Sequence, residues 1–236
     1  MIIGVIGFYI YDSLSLLFHN QIVFTETSKT WDFTFPSHRF RFGNKFVFLA
    51  NVFMPFQSVF YSSWPCIEKT PERIELNALN KFLNSLFIFR LLSIILWVTL
   101  ILILPPILLM YGTIFNLLTI LGVTYVTIFL MIFFLWRFKK RLNFSNKDFF
   151  SIVFDILACP PFAINVVRKI TLKQKFKFTP IEFSKKRLSQ KERLKFQYQL
   201  NERIEESIDE CDDNSAYKKQ LANYKQRLVH SFQRDS

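Results

Sequence analysis

The chain has 236 residues, long enough for one ordinary domain or two small ones, yet 18% of it is aromatic, 30 residues are Phe and only 5 are Gly. That composition excludes a simple α/β enzyme core, and with 3 His, no Gly-rich phosphate loop and no G-x-S-x-G it leaves the usual catalytic shortlist nearly empty. From Arg137 to the carboxy end lie 22 of the 30 Lys and Arg against 12 of the 18 Asp and Glu, so this stretch carries +10 of the formal +12. Bases that follow apolar segments have two standard partners, anionic lipid head groups and nucleic acid; no nucleic-acid-binding signature is present, so lipid is expected and nucleic acid is not.

The first apolar stretch, Ile2 to Phe18, holds Asp12 and has neither a positive leading region nor a small-residue cleavage site, so residues 1–18 read as an uncleaved first transmembrane helix. Gly4 and Gly7 within it are a weak small-residue signal for close helix approach. Residues 19–70 change to alternation. Trp31, Phe33 and Phe35 alternate with Asp32 and Thr34, Phe40 and Phe42 alternate with Arg39 and Arg41, and Phe46 and Phe48 follow Gly43-Asn44, a hairpin signal. With Ile22 to Thr25 these make a small β-rich module whose aromatic face must pack on neighbouring helices or at a membrane interface, since so small a sheet buries little alone. Phe53 to Trp64 suits an interfacial loop, and Thr70-Pro71-Glu72 reads as the start of a helix leading into the next span.

Residues 71–136 read as a transmembrane helical hairpin. Leu86–Met110 and Thr113–Trp136 hold one charge, Arg90, and each exceeds the about 20 residues that cross a bilayer core. Tyr111-Gly112 is the turn, and Pro105-Pro106 predicts a kink or early end near it. Phe149–Val167 contains Asp155 and is interrupted by Cys159-Pro160-Pro161; within 145–170 it reads as a broken interfacial or re-entrant helix capped by Ser145, a further crossing being the alternative. The basic tail, 171–236, begins extended, with Lys173, Lys175 and Lys177 alternating with apolar residues. A capped helix then starts at Pro180, after Thr179. Two stripes follow, Phe196, Leu200, Ile204, Ile208 and then Tyr217, Leu221, Tyr224, Leu228, each at helical spacing; they predict an αα-hairpin whose seam also suits another chain. The fold class is therefore α-helical membrane protein, with three transmembrane helices, a small cytoplasmic β-sheet insertion and a cytoplasmic carboxy-terminal helical hairpin. The base-rich flank after Trp136 places that side in the cytoplasm and the amino terminus outside.

Asp12 and Arg90 sit at matching depth if both their segments span, which predicts an intramembrane ion pair; a proton or ion pathway, or a snorkelling Asp12, are the alternatives. Arg137, Lys139, Lys140, Arg141, Arg168, Lys169, Lys173, Lys175 and Lys177 are the expected contacts to anionic head groups. Cys66, Cys159 and Cys211 are isolated thiols without metal or disulfide spacing, and His19, His38 and His230 have no ligand partners nearby in sequence, so no catalytic residue, metal or cofactor is expected.

The segments GFYIYDSLSLLF, NVFMPFQSVFYSSW and ACPPFAINVVRKI resemble an uncharacterised family of small proteobacterial inner-membrane proteins. The resemblance reaches about Ile170; it implies an inner-membrane location and brings no activity. The functional expectation is a non-catalytic scaffold or accessory subunit of a larger assembly, with membrane lipids and either a protein partner or further copies of itself as partners. The alternative is a small oligomeric channel or membrane-perturbing effector lined by Asp12, Arg90 and Asn116, and a lipid-acting enzyme is third.

Overall fold

The computed structural model of the chain describes residues 2–27, 30–36, 41–43, 45–64, 76–110, 114–174, 179–209 and 216–233. It begins with α1 (Ile2–Ser13), which passes directly into β1 (Leu14–Leu17). The first apolar stretch is thus not one helix to Phe18. Leu17 is buried against Val23 and Val59, and β1 pairs antiparallel with β5 (Lys45–Leu49), Leu14 opposite Leu49 and Leu17 opposite Phe46. Tertiary pairing has overridden local apolarity. The 12 residues left in α1 rise about 18 Å, short of the about 30 Å of a bilayer core.

β4 (Arg41–Phe42) completes the first sheet in the order β1-β5-β4, with Phe42 opposite Lys45. The β4–β5 hairpin is the one its turn residues predict: Gly43 has φ 60°, left-handed backbone that a side chain would resist. A second sheet, ordered β3-β2-β6, is built from β2 (Gln21–Thr27), β3 (Thr30–Thr34) and β6 (Ser58–Ser63). Phe53–Trp64 is therefore no interfacial loop. Its second half is a strand with Phe60 turned into the main core and Val59 and Tyr61 turned to the other side, against Leu17 and Val23, because neighbours in a strand face opposite ways. β2 is covered on both faces, so Ile22 to Glu26 are buried in an unbroken run even though Thr25 and Glu26 are polar.

Two helices roof the second sheet. α9 (Pro180–Arg187) begins where its cap predicts, the Thr179 hydroxyl accepting from the Glu182 backbone N–H at 3.2 Å. It delivers Phe183 to within 4.4 Å of the Phe24 ring and 4.8 Å of Trp31. α10 (Gln190–Asp209) sets Phe196 edge-on to Phe33 at 5.2 Å, and farther along it packs with α11 (Ala216–Gln233). The two stripes are consumed inside the chain: Phe196, Leu200, Ile204, Leu221, Tyr224 and Leu228 are buried, Ile208 packs on the same core, and Tyr217 alone of the eight is exposed. The helical hairpin is there, and its seam does not face outward as a coiled-coil surface.

α2 (Leu76–Ser85), α3 (Phe87–Trp97), a π-helical stretch at Val98–Ile103 and α4 (Leu104–Met110) form one nearly continuous arm, and α5 (Ile114–Phe138) forms the other. Leu79–Leu109 and Ile114–Phe138, of 31 and 25 residues, are both long and apolar enough to cross a membrane. Pro105 and Pro106 do not end the first arm. They lack the N–H that a carbonyl four residues earlier would use, and the widened π turn just before them gives the rings room. The starting point at Thr70-Pro71 and the turn at Tyr111-Gly112 lie outside the described residues.

α6 (Asn146–Ala158), α7 (Pro160–Ala163) and α8 (Val166–Leu172) are the broken helix, interrupted at Cys159 as the two prolines dictate. α6 shows Phe150 and Phe154 outward, but α7 and α8 pass into the centre, where Ala163, Ile164, Val166, Val167 and Ile170 are completely buried. α8 lies against α3 and β6, and Thr171 Oγ1 accepts from the Val59 N–H at 3.1 Å. α6 lies against it as well, and α7 touches α1, α3 and α5.

Phe196 joins the roof to the sheet, so truncating it opens a cavity beneath three rings. Phe196→Ala should lower unfolding free energy by about 3–5 kcal/mol, read by denaturant titration in detergent, whereas the exposed Tyr198→Ala should change it little.

Candidate functional site

The polar residues of the structure converge where α1, α6, α8 and the loop after β5 meet. The loop turns at Ala50–Met54, and its carbonyls point inward with no strand to receive them. Buried carbonyls need donors. Arg168, 3% exposed, supplies two: Nη2 donates to the carbonyls of Asn51 and Met54, the latter at 3.0 Å, while Nη1 donates to Ser13 Oγ at 3.1 Å and Asn165 Oδ1 at 2.9 Å. Tyr9 Oη and Trp97 Nε1 both donate to the Val52 carbonyl, at 2.6 and 3.2 Å.

Asn165 precedes α8 and turns its amide to the end of α1, donating to Asp12 Oδ2 at 3.0 Å and Ser13 Oγ at 3.1 Å. Lys169, one residue after Arg168, reaches Asp12 Oδ1 at 2.7 Å and Asp155 Oδ2 on α6 at 3.3 Å, and lies over the Phe162 ring. Two cations face two carboxylates, so the cluster is neutral overall. Burial works against the Arg168 charge and lowers its pKa, with Tyr9 and Asp12 opposing; the carbonyls and Asp12 are what keep a guanidinium at home there.

Arg90 makes a second tie. From the first turn of α3 its Nη2 donates to Glu26 Oε2 and to Ser58 Oγ, the latter at 2.9 Å, and those two residues are direct cross-strand partners on β2 and β6. The expected Asp12–Arg90 pair is therefore replaced by two separate pairs, Asp12–Lys169 and Arg90–Glu26. α1 is too short to lie beside α3 as an equal span, and the second sheet intervenes with a carboxylate of its own. That Glu26 needs a cation, though not which one, can be read from the two-residue period, which sets this carboxylate on one face with Ile22 and Phe24. Asp155 stands out in the same way, as the one carboxylate inside the Phe149–Val167 stretch, whereas Ser13 and Asn165 carried no comparable sequence signal.

Of the expected head-group contacts, Arg168 is wrongly placed on the surface, and Lys169 is committed to two carboxylates with 16% of its side chain exposed. The others stay near the end of α5. Arg137 and Lys140 are exposed, Arg141 lies over the Phe138 ring at 5.5 Å, and Lys139 donates to Asn146 Oδ1 and lies over Phe149. Lys173 reaches Asp148 at 3.5 Å, and Lys175 and Lys177 lie outside the described residues. The Cys159 thiol is half-buried beside an apolar groove of about 680 Å³ that runs between α1 and α5, past Gly4, Phe8, Leu117 and Leu121. His19 sits at the first sheet's edge, 3.8 Å from Glu206 of α10; Cys66, Cys211 and His38 are outside the described residues. Chemically the cluster is closed. Apart from the buried Arg168 Nε, which has no hydrogen-bond partner, its donors and acceptors face one another, and what it accomplishes is to lock the Ala50–Met54 loop, α1 and α6 around α8.

Compared with protein-family models, curated proteins and solved structures, the chain matches none.

The rearranged pairs make a direct test. In double-mutant cycles Asp12→Asn and Lys169→Met should couple by about 1–3 kcal/mol, while Asp12→Asn and Arg90→Met should add independently; coupling in the second cycle and none in the first would restore the intramembrane pair. At the start of α6 the Ser145 hydroxyl, 2.6 Å from Asp148 Oδ2, and after it Lys173 hold the Asp148 carboxyl below the usual carboxylate range. A lowered native value stabilises above the unfolded value, and that contribution disappears as pH falls through the native one. NMR titration should find the Asp148 carboxyl returning toward its ordinary range in Ser145→Ala; an unmoved midpoint would assign the shift elsewhere.

Proposed function

We propose that this is an integral membrane protein of the bacterial inner membrane, held by the α2–α5 hairpin with α1 and α6 alongside. It carries its strand-and-helix module at the cytoplasmic face as a non-catalytic scaffold or accessory subunit of a larger assembly. The observation that carries this reading is the apolar surface left outside the core. Only 39% of the most apolar part of Leu79–Leu109 and 28% of that of Ile114–Phe138 is buried within the chain, whereas a core helix of a water-soluble domain is mostly covered. Leu102 and Leu109 on the first arm, Phe115 and Val126 on the second, Phe8 on α1 and Phe154 on α6 are all more than half exposed. Soluble monomers rarely leave apolar patches of that extent open to water, and lipid is the solvent in which they cost nothing.

Arg137 in the last turn of the second arm and Lys139, Lys140, Arg141 and Lys147 after it support a cytoplasmic position for that end and for the module beyond it. The commitment of Asp12 and Arg90 to partners within the chain favours a scaffold over a channel, since neither is left to line a pore. On α10, Leu194 and Tyr198 stand exposed one turn apart, on the side away from the sheet, and offer an anchor of the aromatic and aliphatic kind that protein partners use.

The chain expressed in bacteria should stay in the membrane pellet after alkaline carbonate washing and require detergent for release; recovery in the wash would overturn the membrane reading. In intact cells an impermeant thiol reagent should modify Thr113→Cys and spare Ser189→Cys, and the opposite pattern would reverse the orientation. Liposomes containing the purified chain should hold their ion gradients, and leakage would favour the channel.

A further inference from the structure

A cavity of about 750 Å³ opens where the end of α2, the start of α3 and the end of α5 come together. Its lining joins the cations Lys81 and Arg141 and the polar Asn84 and Ser85 to an apolar side of Phe82, Phe87, Ile88 and Phe138, and among the described residues no carboxylate lines it. The guanidinium of Arg141 lies over the Phe138 ring, 5.5 Å from its centre, so one cation is already positioned above an apolar wall. The apolar side does not close. Phe87 is 71% exposed and Leu91, one turn on, 48%, so that side continues onto the outward surface of α3.

We infer that this cavity binds one anionic phospholipid, its phosphate between Lys81 and Arg141 and an acyl chain running from Phe87 along Leu91. Charge selects the ligand's head: two cations without a carboxylate match a phosphate diester with no compensating cation of its own. The apolar exit selects the rest, because a small hydrated anion gains nothing from Phe87, Ile88 and Phe138. Depth agrees as well. The cavity sits beside the base-rich end of α5, at the level where head groups would lie if the hairpin spans. The inference deepens the membrane reading and rests on it, adding a single defined lipid site to a diffuse charge.

The test uses the full chain, purified in mild non-ionic detergent and supplied with phosphatidylglycerol, phosphatidylcholine or sodium phosphate, with bound lipid counted by native mass spectrometry and stability followed by melting. One phosphatidylglycerol should be retained in preference to phosphatidylcholine and should raise the melting temperature. Lys81→Gln/Arg141→Gln should lose about 25-fold in that affinity, at about fivefold per charge. The exposed pair Lys186→Gln/Lys191→Gln removes the same charge from α9 and α10 and should lose little. The exchanged pair Lys81→Arg/Arg141→Lys should retain binding, which separates lost charge from damaged folding. Equal losses in both Gln pairs would show only diffuse attraction and overturn the site, as would phosphate competing as well as lipid does. A chain washed out of membranes by carbonate would defeat the membrane reading itself, whereas a chain that stays in the membrane yet shows no preference for phosphatidylglycerol would defeat the lipid site alone.

Discussion

A guanidinium with 3% of its residue exposed organises the centre of this protein. Arg168 reaches two loop carbonyls, a serine hydroxyl and an asparagine oxygen, and each of those groups belongs to a piece of chain that has no regular structure to satisfy it or that ends at this point. A buried cation is tolerable only when its donors are used and its charge is answered. Here Asp12 and Asp155 answer Arg168 and Lys169, and the arrangement forces α1, α6, α8 and the Ala50–Met54 loop to a common position. Remove the guanidinium and the Asn51 and Met54 carbonyls keep only the turn N–H groups of Met54 and Gln57, while Ser13 and Asn165 lose their tie to the loop.

That central tie explains why so short a first helix has a defined place. α1 has 12 residues and mostly apolar surface, which by itself would let it slide against its neighbours, since dispersion along an apolar helix is nearly uniform. Asp12 and Ser13 at its end stop the sliding by pairing with Lys169 and Asn165. Arg90 does the same for the sheet. Its bond to Glu26 and Ser58 joins the first turn of α3 to two paired strands, so the second sheet is bolted to the hairpin at a polar point and covered on that same face, over Phe24, by Phe183 and Phe196. Polar contacts set position, and aromatic packing supplies most of the burial.

The division of labour among the bases follows from the same geometry. Arg90, Arg168 and Lys169 are spent inside, on carboxylates and carbonyls, while Lys81, Arg137, Lys140 and Arg141 remain outward near the end of the hairpin. Charge counted along the chain cannot separate the two groups. A rim of outward cations beside an exposed apolar belt is the arrangement a lipid surface favours, the tails meeting the belt and the phosphates the cations.

Local order was largely legible in the sequence. The hairpin arms follow from uninterrupted apolar length, the break at Cys159 from two prolines that cannot donate, the starts of α6 and α9 from Ser145 and Thr179 three residues before an acid, and the β4–β5 turn from Gly43. These signals act within about one helical turn or one strand pair, so neighbouring residues suffice to express them. The partners of the charges were not legible. Asp12 and Lys169 lie 157 residues apart and Glu26 and Arg90 lie 64 apart, and no periodicity connects such positions. The same distance hid β1 within an apolar run that looks helical and β6 within an aromatic run that looks interfacial, because each becomes a strand only when β5 and β2 are beside it to take its hydrogen bonds. Composition and short-range spacing determined which segments are apolar, helical or turned. Only the tertiary structure decided which cations are buried, since burial is tolerable just where a carboxylate or carbonyl from a distant segment arrives to meet the charge.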